Sequence, residues 1–192
     1  RSADDGEIMV RGPNVMRGYY GQPEATAAVM KDGWFATGGV GYMDKQGRLY
    51  ITDRKKDLFK LSNGKYIAPQ LIESLLKQSE FVSQVVVVGA GKKQPVALIV
   101  PDWESLNKAL TETGDPLPKD RTELSKHPAA VKIVQQDVAS LTSSLADYER
   151  IRRVALLPHE FSIDSGELTP TLKVKRRVID ERFGELIEEL YS

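Results

Sequence analysis

Alternation of apolar and polar residues predicts that the first quarter of the chain forms strands joined by tight turns. The segments 6–12 and 48–52 both alternate in this way, which is typical of strands with one buried face. Between them, residues 43–48 read MDKQGR, and this Asp-x-x-Gly pattern predicts a hairpin loop with a left-handed glycine. Pro23, followed by an alanine-rich run, predicts a short helix over 22–30.

The pattern changes at Asp53. The run 53–60, DRKKDLFK, holds four basic and two acidic residues with little apolar periodicity, and we interpret it as a linker. The spacing of leucine and isoleucine then predicts a helix over 68–79. The further predicted elements are buried strands at 82–88 and 96–100, a polar helix-rich region over 103–148 interrupted at 113–118 and 127–130, a strand at 151–157, and a closing helix from about 173 to 191.

This order of elements predicts an α+β protein in two parts. We place a β-rich part at 1–53, a hinge linker at 54–60, and a small α/β domain at 61–192. The α/β domain is expected to hold a short mixed sheet flanked by helices.

Composition excludes several classes of protein and site. The chain has 192 residues, and its 27 basic side chains balance its 27 acidic ones, so no global field steers it toward nucleic acid or anionic lipid. Cysteine is absent, which excludes disulfides and thiolate metal sites and is consistent with a reducing compartment. The longest apolar run, at 85–90, is too short to cross a bilayer. No signal peptide opens the sequence, and the first residue, Arg1, suggests a processed or excised chain.

A glycine cluster at 38–41 invites comparison with phosphate-binding loops. A dinucleotide fingerprint needs a third glycine and a following helix, and a P-loop ends in Gly-Lys-Ser or Gly-Lys-Thr. Neither pattern is present after Gly41, where a hairpin is predicted instead. We therefore interpret the cluster as a turn between strands.

Two charged segments have alternative interpretations. The run at 53–60 is either solvated surface or a hinge between parts of different type, and Asn63-Gly64 just beyond it is a turn where backbone can approach a ligand. The closing helix carries four basic residues at its predicted start, against its dipole, which suggests either an anion site or a tolerated surface penalty. They are Lys173, Lys175, Arg176 and Arg177. Thr169 or Thr171 offers the helix a capping hydroxyl. No group of residues has metal-ligand spacing.

Three segments, taken in order, resemble motifs of the adenylate-forming enzymes, and among them the long-chain fatty acyl-CoA synthetases. They are GEIMVRGPNVMRGYYGQPEAT at 6–26, DGWFATGGVGYMDKQGRLYITDRKKDLFKLSNGKYIAPQLIE at 32–73, and LTPTLKVKR at 168–176. The resemblance covers nearly the whole chain, and only residues from about 102 to 148 lack a motif.

The resemblance implies an enzyme that joins a fatty acid to ATP, with Mg²⁺, and then transfers the acyl group to the thiol of CoA. Its small C-terminal domain rotates about a hinge between the two half-reactions. The implied site residues are Lys173 as the adenylation lysine; Asp53, Arg54 and Lys56 at the hinge; Thr37, the position of Gly39, Arg54 and Lys60 at the nucleotide; and Asn63, Gly64 and Lys65 facing CoA.

The sequence departs from the family pattern in two respects. The family has aspartate at the position of Gly39, where the carboxylate accepts hydrogen bonds from the ribose hydroxyls, so the glycine removes two charge-assisted bonds of about 1.5–3 kcal/mol each. The large N-terminal domain, with its phosphate loop and acyl tunnel, is expected upstream of Arg1. We therefore expect a C-terminal portion that is inactive by itself.

Other interpretations remain open. Gly39 suggests a non-catalytic binding or regulatory homologue, and related ligases act on other carboxylic acids or pass the acyl group to a carrier protein. The resemblance predicts a cytoplasmic protein with no nucleic-acid partner, and peripheral contact with a membrane stays open. The sequence leaves acyl length and oligomeric state open.

Overall fold

The computed structural model describes residues 6–111 and 118–192. The chain forms two compact units, Arg1–Leu58 and Phe59–Ser192. Of the predicted interruption at 113–118, all residues but Pro118 lie outside the described part of the chain.

The first unit is an antiparallel sheet built around one long strand. Its elements are β1 (Glu7–Val10), α1 (Pro23–Val29), β2 (Met30–Lys31), β3 (Trp34–Met43) and β4 (Leu49–Arg54). β3 pairs with β1, β2 and β4. The loop after β3 closes as predicted, because the Asp44 carboxylate accepts hydrogen bonds from the N–H groups of Gln46 and Arg48 and Gly47 has φ +80°.

The glycine cluster lies inside β3, so its interpretation as a turn is wrong. Gly38 adopts φ +72°, and the register with β4 shifts between Val40 and Gly41. A Cβ on Gly41 would lie 2.0 Å from the carbonyl oxygen of Tyr50, so only glycine lets the two backbones approach this closely. The glycines thus shape a bulged strand.

The second unit holds the larger share of the secondary structure. Its elements are β5 (Phe59–Lys60), β6 (Tyr66–Ile67), α2 (Pro69–Leu76), β7 (Val82–Val88), β8 (Val96–Pro101), α3 (Trp103–Thr111), α4 (Arg121–Ser125), α5 (Pro128–Leu141), a 3₁₀ turn (Asp147–Glu149), β9 (Val154–Leu156) and α6 (Arg176–Glu189). β5 and β6 form a small hairpin.

A three-stranded mixed sheet forms the centre of the second unit, with β8 antiparallel to β7 and parallel to β9. Side chains such as Val87 and Ile99 point into a core shared with α2, α3 and α5. Their neighbours, such as Val86 and Leu98, point into a second core shared with α6. Burial on both faces explains why these strands are continuous apolar runs rather than alternating ones. The predicted α+β class, with a short mixed sheet flanked by helices, is confirmed.

The closing helix is shorter than predicted. It starts at Arg176 rather than at 173, because Leu168 and Val174 form a β-bridge and the residues between them close a loop. Ile179 takes a fully buried position on α6. Among the described residues, no helix has the length and apolar character needed to cross a membrane.

Candidate functional site

The predicted nucleotide-binding residues of the first unit come together on the β3–β4 ladder. Gly39 lies directly opposite Arg54 in this antiparallel pair. The Thr37 hydroxyl donates to the Ile8 carbonyl at 2.9 Å and accepts from the Gly39 N–H at 3.1 Å. A Cβ on Gly39 would meet nothing nearer than the Thr37 hydroxyl, at 3.4 Å. A Cβ therefore fits at Gly39, opposite Arg54 in the neighbouring strand.

Next to this ladder, in β1, lies Glu7, a buried carboxylate to which sequence reasoning gave no role. Its two oxygens accept from the Gly38 N–H at 2.9 Å and from the Lys55 ammonium at 2.7 Å. Glu7 thereby ties the bulge of β3 to the turn that follows β4. The one sequence feature that could have revealed this role is a glutamate at an inward-facing position of the alternating segment 6–12.

The predicted hinge residues lie at the end of the first unit. Asp53 and Arg54 belong to β4, and the Asp53 carboxylate, buried in the sheet, accepts from the Arg54 N–H at 2.6 Å. Lys56 is exposed in the turn that follows, where the Lys55 N–H donates to the Gly38 carbonyl at 2.8 Å. The loop between β4 and β5 is therefore short, and it starts from an anchored strand.

Lys60 and the predicted CoA-facing residues belong to the β5–β6 hairpin. Lys60 lies in β5, with its ammonium 5.6 Å from the centre of the Tyr66 ring. In the turn, the Asn63 side chain accepts from the Lys65 N–H at 3.0 Å, and Gly64 has φ +84°. This conformation favours glycine, so the turn presents its backbone with little side-chain cover.

Lys173 lies at the end of a tight loop outside α6. The Thr169 N–H donates to the Lys173 carbonyl at 2.8 Å, and the Thr169 hydroxyl accepts from the Lys173 N–H at 3.0 Å. Leu172 has φ +58°, an unusual conformation for a residue with a side chain. Lys173 is exposed, and no carboxylate within residues 6–111 and 118–192 pairs with its ammonium. The predicted capping role of threonine at α6 is wrong, because Thr169 closes this loop instead.

The basic cluster at the start of α6 is smaller than the sequence suggested. Arg176 donates to the Glu73 carboxylate at 2.7 Å, and Arg177 lies 3.5 Å from the Glu181 carboxylate. The pairing of Arg176 offsets its unfavourable interaction with the helix dipole, whereas the contact of Arg177 is exposed to solvent and contributes little. Lys173 and Lys175 precede the helix, so the predicted four-cation helix terminus is wrong.

A second carboxylate, that of Glu167, holds the other end of the Lys173 loop. It is buried and pairs with Arg182 of α6, while its carbonyl accepts from the Lys175 N–H at 2.7 Å. Burial opposes ionisation of Glu167, but hydrogen bonds from Ser165 and Ser162, together with Arg182, outweigh it and lower the pKa of Glu167. The loop is thus anchored at both ends, and neither anchor was predicted from the sequence.

Among the described residues, no three histidine or acidic side chains come together in a way that could hold a metal ion. The basic side chains among the predicted site residues are Arg54 and Lys56 in the first unit, and Lys60, Lys65 and Lys173 in the second unit.

Comparison with known proteins gives consistent results. A family model described as the AMP-binding enzyme C-terminal domain matches residues 56–192. A long-chain-fatty-acid–CoA ligase 1 of Cavia porcellus is 42% identical over 98% of this chain, which covers 27% of that protein. The long-chain-fatty-acid–CoA ligase FadD15 of Mycobacterium tuberculosis is 38% identical over the whole chain, which covers 32% of it.

A solved structure is similar as well. The A domain of a carboxylic acid reductase from Segniliparus rugosus, in complex with AMP and a co-purified carboxylic acid, aligns with a TM-score of 0.72 and 27% identity. The alignment covers 97% of this chain and 28% of that one. The chain therefore spans about a third or less of the length of these proteins.

Proposed function

Because the chain belongs to the AMP-binding enzymes through its C-terminal domain, we propose that it forms part of an ATP-dependent long-chain fatty acid–CoA ligase. The identity of about 40% to ligases of this name supports the substrate class. In the proposed reaction, the fatty acid carboxylate attacks the α-phosphate of ATP and releases pyrophosphate. The CoA thiol then attacks the acyl carbonyl, and AMP leaves.

The observation that carries this proposal is the exposed Lys173 ammonium on a loop anchored at both ends. A fixed cation stabilises negative charge that develops between a carboxylate and a phosphate in the transition state, and it does so without reorganisation. We assign this role to Lys173. The exposed Lys56, in the short turn after β4, would absorb the backbone rotation between the two half-reactions.

The remaining predicted residues receive roles on the same basis. Thr37 and Arg54 would hold the ribose, Lys60 would approach the nucleotide phosphates, and the turn at 63–65 would face the pantetheine arm of CoA. ATP binds as its Mg²⁺ complex in this proposal, and the ion neutralises phosphate charge when it is bound. The acyl tunnel and the phosphate loop would come from the rest of the longer protein.

The test uses the full-length protein and the fatty-acid-dependent exchange of pyrophosphate into ATP. Replacing Lys173 with alanine is expected to lower the exchange rate by about a hundredfold or more. Lys175→Ala is the matched control, since Lys175 is also an exposed lysine, two residues away, and should retain activity within about threefold. Equal activity of both variants would refute the assignment, and the isolated 192-residue chain should release no pyrophosphate.

One observation favours a second candidate, a non-catalytic binding protein. Gly39 supplies no carboxylate opposite Arg54, although a Cβ fits at this position. In the ligase, Gly39→Asp should lower the KM for ATP by about tenfold or more, while Gly39→Ala should leave it unchanged. Absence of exchange in both the wild type and Gly39→Asp would favour the binding protein instead. Activity of Gly39→Asp alone would identify the glycine as a damaging substitution.

The same assay separates a third alternative, a ligase for another acid or for a carrier protein. Exchange that depends on an aryl or short-chain acid, and not on a long-chain fatty acid, would favour that alternative.

A further inference from the structure

A polar network joins the start of α6 to two other elements of the second unit. The Glu73 carboxylate, on α2, accepts from the Val87 N–H at 2.9 Å and from the Arg176 guanidinium at 2.7 Å. The same guanidinium donates to the Val87 carbonyl at 2.7 Å. Glu73, Arg176 and the backbone of Val87 thus form a closed set of three hydrogen bonds, which fixes the first residue of α6 against β7.

The network lies close to Lys173 along the chain and is well shielded from water. Lys173 lies three positions before Arg176 in the sequence, a span of about 10 Å at most. The side chains of Glu73 and Arg176 are 13% and 25% exposed. At this burial the contact is screened less by water than a surface pair would be.

Stability alone gives a weak reason for such a pair. A buried ion pair contributes little net stability compared with apolar residues of similar volume, because both charges lose their hydration. Burial indeed raises the pKa of Glu73, in spite of Arg176 and the Val87 N–H. What the pair does provide is geometry, since the planar guanidinium bonds a side chain and a backbone carbonyl in fixed directions.

We propose that the Glu73–Arg176 pair positions Lys173 for formation of the acyl-adenylate, an inference that rests on the proposed role of Lys173. The loop at 169–173 is closed by its own hydrogen bonds, so its direction is set by its two ends. Glu167 holds one end and Arg176 the other. Loss of the Arg176 anchor leaves the loop intact but free to tilt, and a misplacement of about 1 Å is enough to slow such chemistry by about a hundredfold.

The experiment measures the two half-reactions separately in the full-length protein. Pyrophosphate exchange reports acyl-adenylate formation, and supplied acyl-adenylate with CoA reports thioester formation. Arg176→Met is expected to lower the exchange rate by about tenfold or more and to leave thioester formation within about twofold. Arg177→Met is the matched control, because this neighbouring arginine is 86% exposed and, within residues 6–111 and 118–192, pairs only with Glu181 of its own helix.

A double variant distinguishes positioning from a general structural role. If Arg176 acts through Lys173, adding Arg176→Met to Lys173→Ala causes no further loss of exchange. If Arg176 has only a structural role, Arg176→Met lowers the exchange rate of the Lys173→Ala variant as much as that of the wild type, and it slows both half-reactions equally. Either result would overturn the inference. Arg176→Lys should recover only part of the exchange rate, because an ammonium group cannot donate two hydrogen bonds in the fixed directions of a guanidinium.

Separate variants test for misfolding and for failure of the proposed function. Glu73→Gln keeps an oxygen acceptor and is the variant of choice if Arg176→Met fails to fold; it should show the same selective loss of exchange. Full activity of Arg176→Met and Glu73→Gln beside an inactive Lys173→Ala overturns this inference alone. Full activity of Lys173→Ala overturns the proposed role of Lys173 and the inference with it.

Discussion

The two units of the chain are stabilised in different ways. Within the described part of the first unit, Ile8 is the single buried apolar side chain, whereas the sheet of the second unit is buried on both faces. Large exposed apolar side chains are concentrated in the first unit, namely Tyr19, Tyr20, Tyr42, Met43, Leu49, Tyr50 and Ile51. Backbone pairing and polar contacts such as those of Glu7 therefore maintain the first unit, and apolar packing maintains the second.

This difference can be measured because the chain has two tryptophans, and each unit contains one. Trp34 belongs to β3 and Trp103 to α3. Urea unfolding followed by fluorescence in a Trp34→Phe or Trp103→Phe background therefore reports one unit at a time.

The largest effect is expected from truncation of the buried sheet. Ile99→Ala should lower the free energy of unfolding of the second unit by about 2–5 kcal/mol, because Ile99 is fully buried and the change leaves a cavity. Ile51→Ala is the same change at a position that is 64% exposed, and it should cost the first unit less than about 1 kcal/mol. Equal losses would show that the two units are stabilised alike.

Replacing glycines of β3 should show that the first unit is sensitive where two backbones approach closely. Gly41→Ala should cost about 1–3 kcal/mol in the Trp34 signal, because its Cβ would collide with the Tyr50 carbonyl. Gly39→Ala, in the same strand, should stay within about 0.5 kcal/mol. A tolerated Gly41→Ala would mean that the bulge of β3 relaxes readily.

A smaller difference is expected between two threonines with the same bonding pattern. Each hydroxyl donates to a carbonyl and accepts from an N–H group. Thr142 lies in the buried core, and Thr37 lies at the exposed ladder of the first unit. Thr142→Val should cost about 1–2 kcal/mol, since the Ile151 N–H loses its partner away from water. Thr37→Val should lower the free energy of unfolding by less, because water replaces the hydroxyl. Urea unfolding curves of both variants measure this difference.

The smallest effect concerns pH and compares two carboxylates of the second unit. Glu167 has a lowered pKa, so its contribution is present above the ordinary pKa of glutamate and is lost as pH falls through the lowered value. The stability advantage of the wild type over Glu167→Gln should therefore shrink on acidification. Arg182 is half exposed, and screening keeps the effect small.

Glu73 should behave in the opposite sense. Burial raises its pKa, so its contribution is complete below the ordinary pKa and is lost as pH rises through the raised value. Relative to Glu73→Gln, the wild type should lose stability over that rise. Parallel pH profiles for the Glu167→Gln and Glu73→Gln variants would contradict both assignments.

The sequence predicted those features that depend on local pattern. The valine-rich runs of β7 and β8 predicted two buried strands, and the Asp-x-x-Gly pattern predicted the loop at Gly47. Continuous apolar runs and turn residues carry their own structural signal, which explains this success.

Features that depend on distant partners were missed. Glu73 and Arg176 are 103 positions apart, and nothing near either residue marks the pair. The helix at Lys173 was predicted too early because a leucine, Leu172, takes the left-handed conformation that sequence reasoning reserves for glycine. The glycines of β3 were taken for a turn because the bulge that requires them forms only against β4.

The open space at Gly39 also bears on how this position can change. Two of the four glycine codons differ from an aspartate codon by one base, and a Cβ at Gly39 would make only an ordinary contact with the Thr37 hydroxyl. A single mutation can therefore place a side chain here without requiring the backbone of β3 to move.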